Sequence, residues 1–290
     1  MLQRLLSKGF WANVWARTEK DEIFGRAAQL AYFFLLALFP LLLFLITLFG
    51  YFNGGSQLQR KMIAYLSDVM PHAALQLVVA TLDEVTRDRG TGKLSLGILL
   101  ALWAASSGVN ALAQALNSAY DVPETRPWWK VRLISIGLTI FLSILIISAL
   151  LLILYGGHLG HALAATIHAG PAFAMIWRAL QIPIALVFVL IALVMIYRFA
   201  PNAAAKRQGK GLRESDYRRR WFSPGTIIGL GLWLMVSLGF RLYLHFFNSY
   251  NATYGSLGAL IILMLWFYLT GAAILLGGEI NCEYETEARE

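Results

Sequence analysis

The chain has 290 residues, 58% of them hydrophobic and only 14% charged, with a mean hydropathy of +0.62. That leaves too little polar surface to solvate a globule of this length, which excludes a soluble enzyme as the reading. The net charge of +8 does not by itself point to nucleic acid, because membrane proteins gather Lys and Arg on their cytoplasmic side. A single cysteine, Cys282, excludes an internal disulfide and a cysteine-based zinc site.

In chain order, residues 1–26 lack the continuous apolar core of a cleavable signal peptide. Leu2, Leu5, Leu6, Phe10 and Val14 recur at three- and four-residue steps beside Trp11 and Trp15, with Arg4, Lys8 and Arg17 elsewhere on the wheel. This predicts an amphipathic helix in the cytoplasmic membrane interface. Six apolar runs follow, at 27–52, 94–116, 131–155, 173–200, 224–247 and 257–280. Each supplies the about 20 helical residues that cross a hydrocarbon core of roughly 30 Å. The expected fold is an all-α membrane protein, a single domain of six transmembrane helices.

The connections add detail. Residues 53–93 hold two apolar stripes, Met62, Ile63, Leu66, Val69 and then Leu75, Val78, Val79, Leu82, separated by Pro71. They predict an extracytoplasmic helical hairpin over the outer mouth, serving as packing or as a ligand lid. Residues 201–222 form a basic loop that also contains Glu214 and Asp216, read as a topogenic segment near anionic lipid and not as a nucleic-acid patch. Seventeen Lys and Arg fall on the side of the termini and five on the other, which places both termini in the cytoplasm of a bacterial inner membrane.

Within the runs, Trp103, Gly108, Asn117, Ser118 and Tyr120 are echoed by Trp233, Gly239, Asn248, Ser249 and Tyr250, and Pro40 and Pro183 sit inside the first and fourth. Three spans repeated once form a 3+3 inverted repeat, as in many transporters; chance is the alternative. Each proline frees a backbone carbonyl and gives either a fixed kink or a gating hinge. The small residues Gly225, Gly229, Ser106, Ser107, Gly108, Gly271, Gly277 and Gly278 are read as packing positions.

Arg178 and Arg241 lie inside apolar runs, each about 8 to 9 Å below the same, outer boundary at 1.5 Å per residue. The only acid in a span, Glu279, is expected at the far end of the sixth. The two arginines either snorkel to the headgroups or line a wet cavity for an anionic group, with His245 one turn after Arg241 as an added donor. His158, His161 and His168 are expected in an outer loop without carboxylates. No catalytic residue, metal or cofactor is expected, and no nucleotide or hydrolase motif is present.

Residues 28–40 (AQLAYFFLLALFP), 102–108 (LWAASSG) with 115–120 (ALNSAY), the Arg126-Pro127-Trp128 step, 254–259 (YGSLGA) and 276–281 (LGGEIN) resemble the YihY/BrkB family of bacterial inner-membrane proteins over nearly the whole chain. The resemblance implies six helices and a family once catalogued as ribonuclease BN and since associated with virulence and with envelope or lipid transport. It supplies no catalytic residues. The expected function is transport, or assistance to transport, of an amphiphilic or anionic envelope component such as a lipid, with membrane lipids as partners and no nucleic acid. A non-transporting scaffold of an envelope complex is the alternative, and the ribonuclease of the old name a third reading.

Overall fold

Ser7 opens the first helix by accepting the Phe10 amide on its Oγ at 3.1 Å, which satisfies one of the donors that a helix start leaves open. The computed structural model describes residues 7–50, 79, 93–166, 171–202, 223–246 and 256–287. Over these residues the chain forms helices α1 (Lys8–Lys20), α2 (Ile23–Gly50), α3 (Lys93–Ala119), α4 (Trp128–Thr166), α5 (Pro171–Phe199), α6 (Pro224–Phe246) and α7 (Ser256–Glu287), and no strand. The expected hairpin at 53–93, the basic loop at 201–222, His168 and residues 1–6 fall almost wholly outside the described residues.

Among the described residues, four stretches are long and apolar enough to cross a membrane: Trp128–Ile153, Ile176–Phe199, Pro224–Tyr243 and Leu260–Thr286. Among the described residues Ile23–Leu38 is a shorter apolar stretch, and α3 is a helix of 27 residues over the second expected run. The chain is a multi-pass, all-helical membrane protein. Pro40 and Pro183 each lie inside one unbroken helix.

Several boundaries differ from expectation. α4 does not stop at Tyr155 but runs on through Gly156 and Gly157 to Thr166, so His158 and His161 are helical and not in a loop. Gly156 and Gly160 are seats for α5: a Cβ at Gly156 would strike Gln181 and one at Gly160 would strike Trp177, whose Nε1 donates to the Gly156 carbonyl at 2.6 Å. Arg132, expected in a connection, lies in the second turn of α4. α7 continues past residue 280 to Glu287, which puts Glu279 inside the helix.

Helices α2 to α7 pack in chain order, each on the next, and α7 returns to α2 to close a ring. The buried residues come from the starts of α2 (Ile23, Ala27, Leu30) and α4 (Leu138), and from the ends of α3 (Leu112, Leu116, Ala119), α5 (Ile196, Tyr197) and α7 (Leu275, Cys282). Successive helices are therefore antiparallel and converge at one end. Toward the other end large apolar side chains such as Ile176, Ile182, Met235 and Leu242 are exposed, as lipid-facing surface requires.

Small residues bring the helices close. A Cβ on Gly225 would collide with the Gly277 carbonyl and Asn281, and one on Gly278 would press on Leu116. The Gly225 amide, an open donor at the start of α6, is accepted by the Asn281 Oδ1 at 2.8 Å. Beside this seam, Tyr197 of α5 donates its hydroxyl to the Ile274 carbonyl of α7 at 2.7 Å. Close backbone approach is what association within lipid rewards.

Candidate functional site

At the converging end the bundle is tied by polar side chains that reach across long sequence separations. Phe10 and Val14 bury one face of α1 on Ile280 of α7. One turn on, Arg17 donates from Nε to the Glu279 Oε2 at 3.0 Å, and from Nη2 to the Asp121 Oδ2 at 2.9 Å, the Ala119 carbonyl at 3.1 Å and the Cys282 Sγ at 3.1 Å. Glu279 is wholly buried, so Arg17 supplies the polar partner that its carboxyl group would otherwise lack. Burial opposes the Arg17 charge, but Cys282, Glu279 and Asp121 around it raise its pKa further above the ordinary value.

Asp121 is placed by the way α3 ends. Its amide bonds the Ser118 carbonyl and that of Val122 the Asn117 carbonyl, both at 2.9 Å, while its φ of 51° is left-handed. This is the Schellman stop in which Gly is usual and a short polar side chain tolerated. The exposed carboxylate then meets Arg17 and Lys20. Burial alone would raise its pKa, but the Lys20 hydrogen bond and the Arg17 charge hold it below the usual carboxylate range.

A second knot joins α3, the turn after it and α5. Asn117 donates to the Glu124 Oε2 at 2.8 Å and accepts the Asn202 amide at 2.7 Å. Arg126 grips both Glu124 oxygens and caps the end of α5 through the Ala200 carbonyl at 3.0 Å. Glu124 is held low: burial would raise its pKa, and the Arg126 side chain and amide together with Asn117 outweigh that.

Beside this knot opens a cavity of about 690 Å³ between α3 and the start of α4. Trp103, Ser107, Asn110 and Gln114 of α3 line one wall, with Arg126 and Arg132 opposite. The Arg132 guanidinium lies 4.0 Å from the centre of the Trp103 ring and donates to the Ser107 hydroxyl at 3.3 Å and to the Trp103 carbonyl.

The residues singled out in the sequence lie elsewhere. Arg178 and Arg241 are exposed on the neighbouring helices α5 and α6, seven residues after Pro171 and five before Phe246, at the end away from the polar knots. Neither has an acidic partner among the described residues. His245 belongs to α6, and its side chain lies outside the described residues. Sequence reasoning missed Arg17, Arg132, Asn110 and Gln114. The signal for the last two was present: Trp103, Ser107, Asn110, Gln114 and Asn117 follow at steps of four, three, four and three, one helical face.

The family model described as Virulence factor BrkB matches residues 14–290. The chain is 37% identical over 272 residues to the ribonuclease-like protein YfkH of Bacillus subtilis (strain 168), with 94% of each chain covered. It is 28% identical over 287 residues to UPF0761 membrane proteins of Xanthomonas campestris pv. campestris (strain B100) and Xanthomonas axonopodis pv. citri (strain 306), covering 96% of this chain and 61% of theirs. It thus spans about three-fifths of the length of those Xanthomonas relatives. No solved structure matches it.

Proposed function

Because the chain belongs to the virulence factor BrkB family and is a multi-pass membrane protein, we propose that it moves, or helps to move, an anionic amphiphile such as an envelope lipid across a bacterial inner membrane. In this reading all six long helices cross the bilayer and both termini are cytoplasmic. The antiparallel ring and the seventeen-to-five distribution of Lys and Arg support that arrangement.

One observation carries the transport reading. Arg178 and Arg241 stand exposed on two adjacent apolar helices, at the same end, with no acid among the described residues to compensate them. A cation so placed in lipid is costly unless it snorkels or meets an anion. A guanidinium suits a phosphate or carboxylate because it offers two parallel donors.

The test is anionic-lipid binding to Arg178→Gln, Arg241→Gln and the matching Lys variants, at matched thermal stability. Weaker binding by the Gln variants and partial rescue by Lys are expected; equal binding by all would leave the two arginines as interfacial anchors. Hydrolysis of RNA, which the name of the Bacillus relative invites, has little to work with at the converging end. The carboxylates of Asp121, Glu124, Glu279 and Glu283 there are each hydrogen-bonded by Arg, Lys or Asn. Purified protein is expected to leave transfer-RNA precursors intact with magnesium, manganese or zinc; cleavage abolished by a single substitution would restore that reading.

A further inference from the structure

The polar stripe of α3 is out of keeping with a helix that packs in lipid. Asn117 at its lower end serves the Glu124 and Asn202 knot, and Ser107 and the Trp103 carbonyl hold Arg132. Asn110 and Gln114, between them, line the cavity, and neither is hydrogen-bonded among the described residues. Amides left open in this way are costly against lipid and useful against a polar ligand.

The charges sort in the same direction. Arg126 is neutralised by both oxygens of Glu124, whereas no carboxylate among the described residues pairs with Arg132. The Arg132 Nε is buried and has no acceptor among the described residues, a gap that an oxygen from a ligand would fill. The cavity therefore carries one net positive charge, opposite two amides. The first turn of α4 adds the partial positive charge of a helix start to the same space.

We propose that this cavity binds a phosphate group, with Arg132 as its charged contact and the amides of Asn110 and Gln114 as donors from the facing wall. A tetrahedral phosphate offers oxygens in several directions and suits donors that come from two helices; a planar carboxylate is satisfied by one guanidinium fork. The source is either a lipid headgroup or free phosphate. Trp128, 73% exposed at the mouth, and the ring of Trp103 give apolar walls that favour a headgroup.

The test uses the full chain in phosphatidylcholine nanodiscs, with two arms. One counts phosphatidylglycerol retained by native mass spectrometry as that lipid is titrated in; the other measures equilibrium binding of radiolabelled inorganic phosphate. Binding in the first arm assigns a headgroup site and binding in the second a free-phosphate site. In whichever arm binds, Arg132→Gln should weaken binding about tenfold, the usual loss for one charge-assisted hydrogen bond. Because Arg132 also holds Ser107, Gln114→Glu is the second variant: it sits at an exposed position and puts a negative charge into the cavity without removing a described contact. It should abolish this binding, and should do so equally in an Arg178→Gln, Arg241→Gln background, where the lipid contact proposed above is already removed, which separates this site from that one. Binding in neither arm, or binding that survives both Arg132→Gln and Gln114→Glu, would overturn the assignment.

Discussion

Arg17 illustrates how much one residue can join that no local pattern reveals. Its partners Asp121 and Glu279 are 104 and 262 positions away, and neither hydropathy nor helical periodicity links positions so distant. The sequence could show Glu279 only as an acid without a partner. Arg17→Met should destabilise the protein by about 3–5 kcal/mol, because it strands a buried carboxylate. The double variant with Glu279→Gln should regain most of that, as measured by thermal unfolding in detergent. Asp121 gives a pH prediction. Its folded pKa and that of Glu124 lie below the ordinary 3.8 and 4.5, so both stabilise the fold fully above those ordinary values. The contribution is lost as pH falls through the lowered ones. Unfolding temperature should therefore drop below about pH 4 in the native chain, and more shallowly in Asp121→Asn, which keeps the tolerance for a left-handed backbone but not the charge. An identical acid profile for the two would show that the carboxylate contributes nothing.

At the scale of elements, the existence of each described long helix was legible from long apolar runs with few charges, since nothing but a helix satisfies that much backbone in lipid. Their ends were less legible. The apolar run is bounded at Tyr155, yet the helix goes on, because glycine in a membrane helix also admits a neighbour, and here Gln181 and Trp177 fill the space at Gly156 and Gly160. The polar face of α3 was spelled out in steps of three and four, but Arg132, which completes the cavity, comes from another helix and looked like one more topogenic charge. The glycines of the α6–α7 seam give a sharp contrast. Gly225→Val should cost several kcal/mol, in the range of severe overpacking, and yield aggregated or proteolysed protein on expression. Gly157→Ala, with nothing within 4 Å of its new Cβ, should be silent.

For the molecule as a whole, the antiparallel ring turns topology into a direct measurement. Cysteines introduced at Gly157, exposed on α4, and at Gly209 in the 201–222 connection, each in a Cys282→Ser background, should react with an impermeant thiol reagent from opposite sides of the membrane. Labelling from one side would break the six-span arrangement. Native Cys282 is buried and should stay unlabelled. The seat of α1 has a temporal side as well. Arg17 leaves the ribosome 262 residues ahead of Glu279, an interval of roughly 13 to 50 s at ordinary synthesis rates of about 5–20 residues per second. Throughout that time Phe10 and Val14 have no α7 to cover them, and the membrane surface or a chaperone is the only shelter. A chain that stalls before its final helix never forms this contact, so the seat of α1 is among the last parts of the fold to close.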